Sequence, residues 1–214
     1  MSKLRVQNFS ISLDGYGAGT GQSRDEPLGI GGERLHEWMF PTRLWHEMTG
    51  QEGGTTGLDN RYLTEGHTGI GATIMGRNMF GPVRGPWSGD PTWSGWWGPN
   101  PPYHHPVFVL THEPRESIPM EGGTVFHFVT DGIDSALEQA AKAADGQDVL
   151  VAGGVSTIKQ YLRAGLVDIV HLPVVPILLG RGERLLDEPF PGYECTSFVS
   201  TDAATHYRLD RVRS

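Results

Sequence analysis

The sequence predicts an α/β protein with a mostly parallel central sheet, flanking helices and an antiparallel edge at the C-terminal end. Three observations carry this. Short runs rich in Val, Ile and Phe, such as "PVFVLTH" and "GTVFHFVTD", alternate with helix-like segments such as "DSALEQAAKAADG"; strands separated by helices pair in parallel. The stretch "DVLVAGGVSTIKQYLRAG" runs from a buried-strand pattern through two glycines into a segment with Ile158, Tyr161 and Leu162 at helical spacing. Near the C-terminus, "YECTSFVS" and "THYRLDRVR" flank "TDAA" as the arms of a hairpin.

The elements follow in order. A first strand covers Leu4 to Ser12. Helical patterns cover Glu33 to Phe40, with Leu35, Trp38 and Met39 on one face, and Thr42 to Met48. A strand at Ala72 to Met75 leads directly into "GRNMF". Two strands follow, and then a helix with Asp134 at its N-cap, an alanine-rich interior and Gly146 as its stop. The strand–Gly–Gly–helix unit ends at Gly165. "VDIVHLPVVPILLG" reads as a long strand interrupted at its prolines. Glycine and proline gather in Gly15 to Gly32 and in Gly81 to Pro106, and the second of these carries Trp87, Trp93, Trp96 and Trp97. So much aromatic surface is costly to expose. Both stretches are expected to be ordered loops over a scaffold, and the whole chain, 1–214, a single domain.

Composition narrows the function. Seventeen basic against 25 acidic residues give a net charge of -8. No Lys/Arg run stands out, so nucleic acid is not an expected partner. No apolar run approaches a membrane span, and the N-terminus enters a strand pattern with no signal-like apolar core. Cys195 is the only cysteine, which excludes an intramolecular disulfide. A cytoplasmic protein is the expectation. His36-Glu37 and His46-Glu47 lack the second histidine of a zinc-protease motif, His104-His105 lacks partners at ligand spacing, and no metal is expected. The P-loop, the nucleophile elbow and the dinucleotide fingerprint G-x-G-x-x-G are absent.

What remains is the glycine pair Gly153-Gly154 before a helix, with Ser156 and Thr157 following. Two readings fit. The glycines make a tight turn that Ser156 caps, or the unpaired N–H groups of the helix start hold an anion that the glycines let approach. "IMGRNMF" repeats the arrangement, with Arg77 beside Gly76 at a strand end. The guanidinium fork suits phosphate, although an isolated arginine is as readily a surface ion pair. Two anion seats in one α/β domain suit a dinucleotide.

In "SISLDGYGA", "GATIMGRNMF", "PVFVLTHEPR" and "VLVAGGVSTIKQYLRAGLVDIVHLPVVPILLGRGERLL" the chain resembles the dihydrofolate-reductase-like superfamily. More particularly, it resembles the reductase domain of the bifunctional riboflavin-biosynthesis deaminase–reductase and its stand-alone relatives. The resemblance spans roughly residues 4–212 and implies a stand-alone NADPH-dependent reductase acting on a small molecule. It places Gly76, Arg77, Asn78 and Met79 at the adenosine phosphate. Thr111, His112 and Arg115 fall along the adenosine, and Gly153, Gly154, Val155, Ser156 and Thr157 at the pyrophosphate. Ser12, Asp14 and Gly15 fall near the nicotinamide, with Asp14 the candidate catalytic residue. Trp96, Trp97 and Tyr103 are the expected aromatic lining for a planar heterocycle or a carbonyl or imine substrate. A homodimer through the C-terminal strands is expected. An NADP(H)-binding sensor without turnover is the alternative.

Overall fold

The computed structural model describes residues 2–81 and 85–212. Residues 82–84 of the tryptophan-rich loop and Arg213 at the end of the last expected strand lie outside the described residues. In chain order the strands are β1 (Leu4–Val6), β2 (Ile11–Ser12), β3 (Tyr16–Ala18), β4 (Ile70–Gly76), β5 (Pro106–Leu110) and β6 (Ile118–Pro119). They continue with β7 (Val125–Val129), β8 (Asp148–Gly153), β9 (Ile169–Val175), β10 (Glu183–Arg184), β11 (Tyr193–Ser200) and β12 (Thr205–Arg211). The α-helices are α1 (Arg43–Met48), α2 (Leu58–His67), α3 (Arg77–Phe80), α4 (Ile133–Ala143) and α5 (Val155–Arg163). The backbone gathers into two compact units, the first of residues 2–5, 23–27 and 69–167, the second of residues 6–22, 28–68 and 168–212.

The first unit is a sheet in the order β1–β8–β4–β5–β7–β6. Its first five strands run parallel and β6 closes the edge antiparallel to β7. β4 is buried along its whole length, as a central parallel strand covered on both faces must be. Helix α4 packs on β4, β5 and β8, and α5 on β8 and β4. Fully buried Ala136 and Ala140 let α4 lie close to the sheet. Tyr161, also fully buried, donates its hydroxyl to the Ile133 carbonyl at 2.8 Å and ties α5 to the start of α4. Asp134 is not the N-cap. Gly132, at φ +92°, is the N-cap and starts the helix two residues sooner, and Asp134 lies in the first turn, where its charge still complements the helix dipole.

A second apolar layer, of Met75, Phe80, Val107, Val109 and Phe126, takes up Trp87, Trp93 and Tyr103 from the long loop. Three indoles fix that loop by donating to backbone carbonyls: Trp87 to Glu113 at 2.9 Å, Trp93 to Phe80 at 2.9 Å and Trp96 to Met79 at 3.0 Å. These three rings hold the described part of the loop by packing against the layer beneath and satisfying their one donor.

In the second unit β2 runs parallel to β9, β12 antiparallel to β9, and β11 antiparallel to β12. β3 and β10 form a separate antiparallel ribbon. The expected hairpin closes with Thr201 N–H on the Ala204 carbonyl at 2.9 Å. The first expected strand is broken into β1 and β2, with Asn8 at φ +55° between them. β9 continues through Pro173 and ends before Pro176. Leu35, Trp38 and Met39 do share a buried face, joined by Leu63, Val175, Ile177 and Ala204, but Gly32–His36 is a 3₁₀ helix.

Helix α2 has no counterpart in the sequence reading. Its sequence LDNRYLTEGH is poor in helix formers and buries only Leu63 and Gly66. Tertiary hydrogen bonds hold it: Asn8 Nδ2 to the Leu63 carbonyl, Leu44 N–H to Asn60 Oδ1, and Thr201 Oγ1 to Asp59 Oδ1. The last of these belongs to a buried polar chain. Asn8 N–H donates to His171 Nδ1 at 3.2 Å, so the His171 proton is on Nε2, facing His206 Nδ1 at 3.2 Å. The His206 proton is then on Nε2 and donates to Asp59 Oδ1 at 2.8 Å. Tyr62 stacks on both imidazoles, with centroids at 4.9 and 4.4 Å.

Burial, opposed by the Asp59 bond, lowers the His206 pKa from 6.5. The folded state therefore holds this histidine neutral while the unfolded chain protonates it first. Its contribution is complete above about pH 6.5 and is lost as the pH falls toward the depressed value. Thermal denaturation between pH 8 and pH 5 should show the melting temperature falling below about pH 6.5, and His206→Gln should flatten that limb.

Candidate functional site

Sheet order, more than any single motif, builds the site of the first unit. β8, β4 and β5 are neighbours and run parallel, so their carboxyl ends lie side by side. Met75 pairs with Gly153, and Gly76 with Leu110. The segments 76–79, 111–115 and 153–157 thus leave the sheet together on the side where open α/β sheets bind their ligands.

Gly76 is packed against the first turn of α5. A Cβ there would collide with Thr157 Oγ1 and stand 3.6 Å from Gly154 N. The first intrahelical bond of α5 runs from Ile158 N–H to the Gly154 carbonyl at 3.1 Å, so the N–H groups of Val155, Ser156 and Thr157 precede it. No side chain caps this helix, and Ser156 is exposed, so Ser156 is not its cap. Val155 and Thr157 are buried and offer their backbone. The Gly153–Gly154 peptide is cis. Gly153 takes φ +142°, while Gly154 sits at φ -74°. A Cβ at Gly154 would meet nothing within 4 Å, so there is open space above the turn.

α3 has four residues, and its charge comes from the Arg77 side chain. Arg77 Nη1 donates to Thr111 Oγ1 at 3.3 Å and Nη2 to the Gly85 carbonyl at 3.4 Å. Its guanidinium carbon lies 3.0 Å from the centroid of the Trp87 ring. Thr111 is buried and anchored by its N–H on the Val129 carbonyl at 3.0 Å. Arg115 Nη2 donates to the Pro91 carbonyl at 2.9 Å, and Nη1 is buried without a hydrogen-bond partner. Desolvation, opposed by attraction to Asp90, lowers the Arg115 pKa from the usual guanidinium range. Asp90 is itself paired with Arg24. Asn78 and His112 are exposed, and Met79 is half-buried.

Ser12, Asp14 and Gly15 belong to the second unit. Ser12 Oγ donates to Asp14 Oδ1 at 2.6 Å, and the N–H groups of Leu179 and Gly180 reach the same carboxylate at 3.1 and 2.6 Å. Burial pushes the Asp14 pKa up, but the bonds from Ser12, Gly180 and Leu179 outweigh it and hold the carboxyl below its ordinary value. Gly15, at φ +85°, accepts from Leu185 N–H at 2.8 Å.

Of the aromatic lining expected for substrate, Trp96 packs edge-on to Trp93 at 4.7 Å. Tyr103 lies edge-on to Phe126, and desolvation of its hydroxyl, opposed by a bond with Trp97, raises its pKa to about 12. Trp97 is 36% exposed. Among the described residues no group of three or more His, Cys, Asp or Glu is arranged to hold a metal, and no helix is long and apolar enough to cross a membrane. The sequence reading missed Trp87, whose place on Arg77 depends on a contact across the loop, and the Leu179 and Gly180 amides, which no motif marks.

A mostly parallel sheet with glycines and arginines gathered at its adjacent strand ends defines an α/β domain of the dihydrofolate-reductase-like kind. The chain belongs to the RibD C-terminal domain family, whose model matches residues 5–207. Over its full length it has the fold of a protein designated a riboflavin biosynthesis protein from Shewanella sp. PV-4, with a TM-score of 0.61 and 23% identity over 100% of both chains. A pyrimidine reductase-like protein from Corynebacterium diphtheriae matches with a TM-score of 0.55 and 13% identity, over 100% of this chain and 93% of that one. RibD from Acinetobacter baumannii matches with a TM-score of 0.55 and 16% identity, over 100% of this chain and 59% of that one. No curated protein matches the sequence.

Two outcomes follow from the geometry. Gly153→Ala, which forces a side chain into φ +142°, should cost about 1–3 kcal/mol in denaturant unfolding, and Gly154→Ala close to nothing. Asp14→Ala should release the Leu179 and Gly180 amides, seen as faster hydrogen exchange at those two positions.

Proposed function

We propose that this chain is an NADPH-dependent reductase of a small planar heterocycle or of a carbonyl or imine compound. The observation that carries the reading is the convergence of residues 76–79, 111–115 and 153–157 at the adjacent carboxyl ends of β4, β5 and β8. The residues present fit such a cofactor. Open space above Gly154 admits a pyrophosphate to the N–H groups of Val155, Ser156 and Thr157. The buried Nη1 of Arg115 is a donor in want of an acceptor, and Arg77 adds a second cation beside it. NADPH, when bound, supplies the hydride. Arg77, Thr111 and Arg115 hold the adenosine phosphate, while Gly154 keeps a side chain out of its way and Gly76 lets the first turn of α5 pack close.

The family resemblance assigns Ser12, Asp14 and Gly15 to the nicotinamide. A carboxylate kept ionised by three donors is a poor proton source, so we assign Asp14 to positioning the 177–182 segment. On the substrate side Trp97, the most exposed of the three aromatic candidates, is the ring offered for stacking. The dimer expected of this chain would form on the exposed strand β11, where Phe198 is 69% exposed and stacks on Tyr207 at 6.0 Å.

Calorimetric titration tests the cofactor. NADPH should bind more tightly than NADH, and Arg77→Ala should narrow that preference by roughly ten- to a hundredfold, the worth of a charge-assisted bond. Gly154→Val should abolish binding with the circular dichroism spectrum unchanged. Equal affinity of the wild type for both cofactors would sink the reading. Binding of NADPH without its oxidation across heterocyclic and carbonyl substrates would favour the sensor.

A further inference from the structure

Trp87 stands at the centre of the cationic side of the cradle, yet no motif points to it. The guanidinium carbons of Arg77 and Arg115 lie 3.0 and 4.6 Å from the centroid of its ring. The ring is itself braced. Its Nε1 donates to the Glu113 carbonyl at 2.9 Å, and it meets Phe80 and Phe128 edge-on at 5.8 and 5.0 Å. The same Glu113 returns its N–H to Thr111 Oγ1, the atom that accepts from Arg77. Indole, loop 111–115 and arginine are thus one connected piece.

The chemistry of the guanidinium gives this arrangement its meaning. All five of its donors lie in the plane of the group. A ring against the face takes none of them, while it limits how the plane can turn. Two guanidiniums gathered on one indole would repel each other. Asp90 attracts Arg115 but is shared with Arg24. Arg115 Nη1 is buried and lacks an acceptor. A phosphate dianion supplies both the acceptor and the countercharge.

We propose that Trp87 is a specificity-determining positioning residue. By holding Arg77 and Arg115 on one ring, it spaces and orients their donor edges as a paired seat for the phosphomonoester that distinguishes NADPH from NADH. The inference rests on the cofactor reading above and adds a residue that acts only through the two arginines. Trp87 itself offers the anion no donor, because its N–H is committed to Glu113.

The test is calorimetric titration of NADPH and NADH into the wild type, Trp87→Phe, Trp87→Leu and the Arg77→Ala/Trp87→Leu pair. Trp87→Leu should weaken NADPH by about tenfold and leave NADH within about twofold, whereas Trp87→Phe, which keeps a ring face, should stay within about threefold of the wild type for both. In the Arg77→Ala background the further loss on Trp87→Leu should shrink. A structural role in the loop alone would move both cofactors together and would give the same loss in either background; either result overturns the proposal. A wild type that prefers NADPH, with the preference intact in Trp87→Leu, sinks this inference and leaves the cofactor reading standing. A wild type without preference sinks both. Should Trp87→Leu fail to fold by circular dichroism, Trp87→Met, which fills the space with a flexible chain and no ring, carries the same comparison.

Discussion

The parallel pairing of β8, β4 and β5 is the constraint on which the site depends. Parallel strands all point the same way, so neighbouring carboxyl ends open on one edge. Three loops far apart in the chain are thereby delivered to a single place without any of them carrying a fingerprint. Gly76 shows how tight the delivery is. It cannot carry even a methyl group, because the first turn of α5 lies directly against it. The cradle is therefore made by backbone approach and by side chains that reach in from the loops. Arg77 and Arg115 supply the charge, and the sheet supplies the coincidence.

The long aromatic loop answers a different need. A glycine- and proline-rich excursion gains little from its own backbone bonding, and in most proteins such a segment would move. Here Trp87, Trp93 and Trp96 each sink a ring against the unit and bond its nitrogen to a carbonyl on the element beneath. Burial of faces and satisfaction of donors reinforce each other, since an indole buried without its bond would lose much of the gain. The second unit uses the same logic in its core, where His171, His206 and Asp59 are stacked under Tyr62 with their donors and acceptors matched.

Much of this was legible in the sequence. β4, β5, β7, β8 and the C-terminal hairpin announce themselves by apolar runs and turn residues, α4 by its alanine-rich interior and glycine stop, and α5 by helical spacing. α2 was not legible, because Asn60, Tyr62, Thr64 and Gly66 carry no helical preference; polar contacts from Asn8, Leu44 and Thr201 impose the helix instead. The helix start at Gly132 in place of Asp134 is a boundary of the kind that positive-φ glycine decides and spacing does not. At the site, the glycine pair and Arg77 stood out as residue types with a chemical reason. What could not be read was their mutual placement. Nor could the sequence show that Gly153 would carry the glycine-only φ while Gly154 kept the open space, or that one of four tryptophans would sit on both arginines.

The strand order also carries a consequence for how the chain acquires its shape. β8 lies between β1 and β4, although both precede it in the sequence. A nascent chain that has left the ribosome only as far as α4 has no strand for that gap, and the facing edges of β1 and β4 stay unpaired. Such an intermediate must wait for a distant segment to insert at the centre, the slow, non-local kind of closure. The same insertion brings Gly153 and Gly154 beside Gly76, so the chain completes its sheet and gathers these three glycines in one late event. Any factor that shields unpaired strand edges during synthesis would therefore govern how much of this protein ever completes its sheet.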